Sequence, residues 1–271
     1  GAPARRRQPR QVGSPTVGLA LGRGRRGRAV AARILVGLQH PGGGGARAAV
    51  GEHLDEADVE RANLAGLSAA VHAIGDRSVR ELLGALERIA GRHPELQGAR
   101  IPNRIEHVQN VRPEDLPRLA PLGVVASVQP IHLVDDMVMV EQTVGDRDRF
   151  TYAFRDLWEA GLPLAMGSDC PVANPNPWWG IQAAVTRQRR DGTPEGGWYP
   201  AQRLTLAQAV WGFTMGPAVV TGRQADLGSI SPGKLADLVI LDRDPFALDA
   251  REIAGVQVDM TILNGEVVYR A

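Results

Sequence analysis

From residue 52 to the carboxyl end, short continuous apolar runs alternate with stretches whose apolar positions recur every three or four residues. The first pattern predicts strands buried on both faces, and the second predicts amphipathic helices. Residues 55–66 predict a helix with acidic groups in its first turn. Residues 67–72 form an apolar run ending in histidine, and residues 104–108, 124–128 and 162–166 predict further strands. Residues 78–90 give the clearest helix, because Val79, Leu82, Leu83, Leu86, Ile89 and Ala90 share one face. Residues 113–119 and 150–160 predict the helices between the later strands. Residues 205–213 predict another, capped by Thr205 and stopped at Gly216-Pro217. The tail is β-rich. A strand is expected at 235–241, and a hairpin at 256–263 and 266–269 turns on Asn264-Gly265, residues that tolerate positive φ.

Strand and helix thus alternate about every 35–40 residues, in four units between residue 67 and the loop after residue 166. The expected class is α/β: a partial (β/α)8 barrel of the TIM type, about strands 5–8, with a β-rich remnant of a flanking sandwich. A small open α/β sheet is the alternative.

Charge changes the picture only at the amino end. The 271 residues carry a net charge of +1, but residues 1–50 hold ten arginines and no acidic group. Residues 1–51 are therefore set apart as an Arg/Gly-rich arm, ahead of a barrel part at 52–222 and a sandwich part at 223–271. The arm reads as disordered or processed chain, or as frame-shifted or fragment-derived sequence. Its arginines invite a nucleic-acid reading, but no aromatic residue is interleaved to stack on bases, so nucleic acid is not the expected partner. Residues 30–38 can still pair as a strand. No apolar stretch approaches ~18 residues, which speaks against a membrane span. The lone cysteine, Cys170, allows no intrachain disulfide and fits a reducing, cytoplasmic compartment.

Three polar groups fall at the ends of predicted strands: His72, His107 and Asp169. In a parallel barrel these ends form one rim, where chemistry collects. Imidazole nitrogen and carboxylate oxygen are ordinary ligands for zinc and similar ions. Each residue also has a plainer reading. The histidines can be hydrogen-bonded structural residues, and Asp169 can cap the helix after its strand. His132, beyond Gln129-Pro130, either reaches the site or sits in a surface loop. Cys170 is expected to be a buried, inert thiol rather than a reactive one. Trp178 and Trp179 are expected to pack a stiff loop at 174–180, with a pocket wall as the second choice.

The runs VHAIGDRSV, RIEHVQ, GVVASVQPIH, GSDCPV and DLGSISPGKLADLVILDRDPF resemble the amidohydrolase superfamily, in particular its exoenzyme-like, metal-dependent branch of the family 3 type. The resemblance covers residue 52 to the end and corresponds to the carboxyl-terminal half of that fold. It implies that His72, His107 and Asp169 bind a divalent metal, most readily zinc, and that Asp169 also shuttles the proton. Asp76 and Glu106 would be groups behind the ligands. The implied activity is hydrolysis of a non-peptide carbon–nitrogen bond in a small amide-type molecule by metal-activated water. The family's His-x-His pair is absent, since the histidines stand at 40, 53, 72, 93, 107 and 132. Two readings follow: a hydrolase that is truncated and inactive in this chain, or a non-catalytic half-barrel scaffold or interaction protein. In either, a second copy is expected to cover exposed barrel edges.

Overall fold

The computed structural model describes residues 32–34, 56–98 and 101–271. The expectations for the arginine-rich arm, apart from residues 32–34, lie outside the described residues. Ala32–Ile34 forms β1, which pairs in parallel with Ala69–Val71. The elements that follow are α1 (Glu56–Leu64), β2 (Ala69–Ala73), α2 (Asp76–Arg92), β3 (Arg104–His107), α3 (Leu116–Leu119), β4 (Val125–Val128), α4 (Pro130–Thr143), α5 (Phe154–Glu159), β5 (Leu164–Met166), α6 (Pro177–Thr186) and α7 (Leu206–Val220). Strands β1 to β5 lie side by side in chain order, all parallel, as a partial barrel. Strands β6 (Leu238–Leu241), β7 (Val258–Leu263) and β8 (Glu266–Arg270) form a separate antiparallel sheet.

Alternation along the strands gives the parallel sheet two chemically different faces. Val71, Ile105, Ala126 and Leu164 stand in register and enter the hydrophobic core with the helices. One position further on, His72, Glu106, Ser127 and Ala165 line the opposite face. Helix α2 buries the predicted stripe of Val79, Leu82, Leu83, Leu86 and Ile89. The hairpin between β7 and β8 turns at Asn264 and Gly265, both at positive φ (51° and 84°), as the dipeptide predicted.

Four local expectations are corrected. Residues 113–119 and 150–160 are helical only in part, at Leu116–Leu119 and Phe154–Glu159. The segment after Gln129 is the fourteen-residue helix α4, not a loop. Its period is blurred because Val138 and Met139 are apolar yet exposed. Trp178 and Trp179 open α6, which starts at Pro177 with Asn176 as its cap. That helix is apolar nearly all round because it is nearly all buried. Finally, α7 runs through Pro217 to Val220. Gly216 and Ala218 are buried, and their packing holds the last turn helical despite the missing N–H. Its start is as predicted: Thr205 and Gln208 form a reciprocal capping box.

Candidate metal centre

The carboxyl ends of β2 to β5 point the same way and bring five side chains together. His72 lies on β2, His107 ends β3, Gln129 follows β4, His132 stands in the first turn of α4, and Asp169 lies in the turn after β5. Strict alternation would send His107 to the helix side, with Ile105. Instead its φ is +74°, and Val108 follows at +44°. Left-handed backbone is costly for histidine and more so for a β-branched residue. The kink brings the imidazole to His72, with 2.9 Å between His107 Nε2 and His72 Nδ1. Asp169 is likewise left-handed at +56°. Two of the five groups therefore sit on strained backbone, as sites of chemistry often do.

Hydrogen bonds fix which face of His107 is basic. Gln129 Nε2 donates to the Ser127 carbonyl at 3.3 Å, which turns Oε1 toward His107. His107 Nδ1–H then donates to that Oε1 at 2.9 Å. A neutral imidazole protonated at Nδ1 carries its lone pair on Nε2. His107 and Gln129 are both buried, so the arrangement is shielded from competing water. The His132 ring stacks on His107 with centroids 6.1 Å apart. Burial pushes the His132 pKa below its ordinary value, against the pull of Asp169 in the opposite direction.

His107, His132 and Asp169 each present one donor atom, and these atoms lie within 4.8 Å of one another. His132 Nε2 is buried without a hydrogen-bond partner. An orphaned buried nitrogen is costly in protein alone and fits a metal ligand. Two imidazole nitrogens with a carboxylate oxygen suit zinc or a similar divalent ion. Of the residues expected from sequence, His107 and Asp169 join this cluster, while His72 touches it through His107. His132, which the sequence left between the site and a surface loop, completes the cluster from helix α4.

The expected groups behind the ligands are not the observed ones. Glu106 pairs with Arg104 at 2.5 Å. Asp76 receives Arg112 at 3.0 Å and Arg147 at 2.5 Å. Gln129, which the sequence reading passed over, holds His107 instead. Cys170 is exposed rather than buried, because the turn after Asp169 stands clear of the core. Trp178 is buried and packs as expected, while Trp179 lines a cavity beside α4.

The Asp76 cluster ties the loops after β2, β3 and α4 together, and it yields a prediction. Burial alone would raise the Asp76 carboxyl, but the hydrogen bonds from Arg112 and Arg147 outweigh it and hold the pKa below the usual range. A carboxyl lowered in the folded state stabilises above its unfolded pKa of about 4, and that contribution is lost as pH falls through the folded value. Asp76→Asn should cost about 1–3 kcal/mol at pH 7. The gap to wild type should close below pH 4, as thermal melts at pH 7 and pH 3 will show. An equal gap at both would refute this account.

Comparison with known proteins adds to this geometry. The model of the Amidohydrolase family matches residues 39–269, starting upstream of where the sequence motifs had placed the boundary. Protein LONG AFTER FAR-RED 3 of Arabidopsis thaliana is 35% identical over 210 residues, 77% of this chain and 35% of that protein. N-substituted formamide deformylase of Arthrobacter pascens is 28% identical over 211 residues, 77% of this chain and 38% of that protein. An uncharacterized metal-dependent hydrolase from Pyrococcus horikoshii has a solved structure with a TM-score of 0.61 and 31% identity. It covers 73% of this chain and 39% of its own. The chain thus spans under two-fifths of the length of these relatives.

Proposed function

The chain belongs to the amidohydrolase family, and from that premise we propose that it serves hydrolysis of a non-peptide carbon–nitrogen bond in a small amide-type molecule. The observation that carries the reading is the convergence of His107, His132 and Asp169 at one strand-end rim, with His132 Nε2 otherwise unsatisfied. These three would hold a divalent ion, zinc being the best match to the donors, with His72 beside His107 as a further nitrogen. When bound, such an ion lowers the pKa of water toward about 7 and polarises a carbonyl.

The chain's own groups supply the rest. Gln129 keeps the His107 lone pair on Nε2, the nitrogen that lies 2.9 Å from His72 Nδ1. Asp169 takes a proton from the attacking water onto a carboxylate oxygen. It returns that proton to the nitrogen as the new carbon–oxygen bond forms and the carbon–nitrogen bond breaks. The reducing, cytoplasmic setting expected from the single cysteine suits such an enzyme. No helix among the described residues is long and apolar enough to cross a membrane.

The test uses the full chain loaded with zinc and an N-substituted formamide, the probe suggested by the name of the Arthrobacter relative. Formate release is expected, and Asp169→Asn should lower kcat by about 10²–10⁴-fold. No release from the loaded wild-type chain would reject hydrolysis and favour the scaffold. One observation supports that second reading. Val239, Ile240, Val267, Val268 and Tyr269 of the three-stranded sheet are about half exposed, apolar surface distributed over both faces of the sheet, part of which a second copy would cover.

A further inference from the structure

A cavity of about 380 Å³ lies between α4, α6 and the segments around residues 172–174 and 188–190. Several of its lining residues are close sequence neighbours of the candidate metal centre. Ile131 and Asp135, which flank His132 on α4, line one side, and Val172, Ala173 and Asn174, just beyond Asp169, line another. The backbone N–H of Val172 donates to the Asp169 carbonyl at 2.8 Å, so this wall and the acid share one turn. Val172 is 73% exposed, an apolar side chain at the mouth with nothing of the protein over it. The interior is apolar and partly aromatic, with Ile131, Val134, Trp179 and Ala183.

The mouth carries Arg189, Arg190 and Asp135. Among the described residues no ion pair joins Asp135 to either arginine, and neither arginine has a carboxylate partner within salt-bridge distance. The Arg190 guanidinium lies over the Trp179 ring, 4.1 Å from its centroid. Stacking of this kind orients the guanidinium plane and leaves the N–H donors at its edge available. The supporting loop is well tied. Arg189 N–H donates to the Thr193 carbonyl at 2.7 Å, and Gln188 Nε2 donates to the carbonyls of Gly192 and Pro194 at 2.7 and 2.9 Å. The arginines are thus presented on a braced turn beside the apolar part of the lining.

We infer that this cavity binds the distal end of the substrate, and that the substrate class is an amide with a planar apolar body ending in a carboxylate. This rests on the hydrolase reading for the word substrate, but the binding itself does not. Trp179 and Val172 cover the body, while the free edge of Arg190, with Arg189 beside it, receives the carboxylate in the two-pronged geometry that arginine favours. Net charge at the mouth is positive, because two cations face one anion.

The test separates the two readings by measuring binding rather than turnover. The probes are 4-ethylbenzoate and its neutral counterpart 4-ethylacetophenone, neither of which holds a hydrolysable bond. Both are titrated into the full chain with and without zinc, since a carboxylate can also meet the ion. The acid should bind at least about tenfold more tightly in both states, as a charge-assisted pair of hydrogen bonds allows. Arg190→Ala should remove most of that preference, and Arg190→Lys, which keeps the charge without the fork, should keep part of it. Equal affinities, no binding of the acid, a preference seen only with zinc, or a preference intact in a folded Arg190→Ala chain would each overturn the inference. Acid preference in a chain that hydrolyses nothing would uphold the site and reject only the activity.

Discussion

Alanine in place of His132 is expected to lower the zinc affinity of the purified chain by at least about a hundredfold. Loss of an outer partner of a metal ligand typically costs 10–100-fold, and loss of a ligand costs more. His132 Nε2 is a buried nitrogen that no protein group satisfies, so its lone pair is free for an ion at no cost to another bond. His72 is differently placed. Its Nδ1 already meets His107 Nε2, so His72→Ala removes a neighbour of a ligand and should weaken zinc by about 10–100-fold. His93, which pairs with Glu60, serves as a control that should change nothing. Competition with a chromophoric chelator reads all three variants. If His72→Ala abolishes binding and His132→Ala leaves it intact, the set expected from sequence is the correct one, and the orphaned nitrogen has another explanation.

The second large effect is on stability. Gly216 on α7 lies so close to β5 that a Cβ placed there would stand 2.2 Å from the Leu164 carbonyl oxygen and 2.8 Å from Ala165 Cα. Those are backbone atoms of a core strand, which cannot yield. Gly212, one turn earlier, is as close in distance, but it meets the Met166 side chain at 2.6 Å, and a thioether can swing aside. Gly216→Ala should therefore cost about 3 kcal/mol or more, and Gly212→Ala about 1 kcal/mol, within the range of overpacked cores. For a chain of this size, that corresponds to drops of roughly 6–12 °C against 2–4 °C in Tm. Because β5 leads straight into Asp169, Gly216→Ala should also lower zinc affinity, and Gly212→Ala should not. Equal melting temperatures for the two variants would contradict the backbone contact.

How far these features were legible in the sequence depends on what holds each one. Strands β2 to β5 were legible because each is a short run dominated by buried apolar residues, as in residues 124–128, where Ser127 is the one polar position. Helix α2 was legible because one face is wet. Helices α4 and α6 were not. Val138 and Met139 put apolar side chains on the exposed face of α4, and α6 has almost no wet face to leave a period. Missing α4 is what left His132 with two readings. The positions of His107 and Asp169 at strand ends were readable, but the left-handed backbone that turns them inward was not, since neither is a glycine. Asp76 and Glu106 misled because acidic residues beside a histidine suggest orientation of the ring, whereas nearby arginines claim both. Gln129 carries no charge and gave no signal, although its amide decides the His107 tautomer.

Helix α4 is held at several points along its length. Near its start His132 enters the rim. Midway, the Tyr152 hydroxyl donates to Asp136 at 2.5 Å and Gln109 Nε2 to the same carboxylate oxygen at 3.3 Å. Toward its end the Trp198 indole donates to Glu141 at 2.8 Å. Asp136 and Glu141 thus brace the helix on the carboxyl-terminal side of His132. The helix that brings His132 to the rim is therefore fixed by side chains from three other segments, while His107 and Asp169 are carried at the ends of β3 and β5.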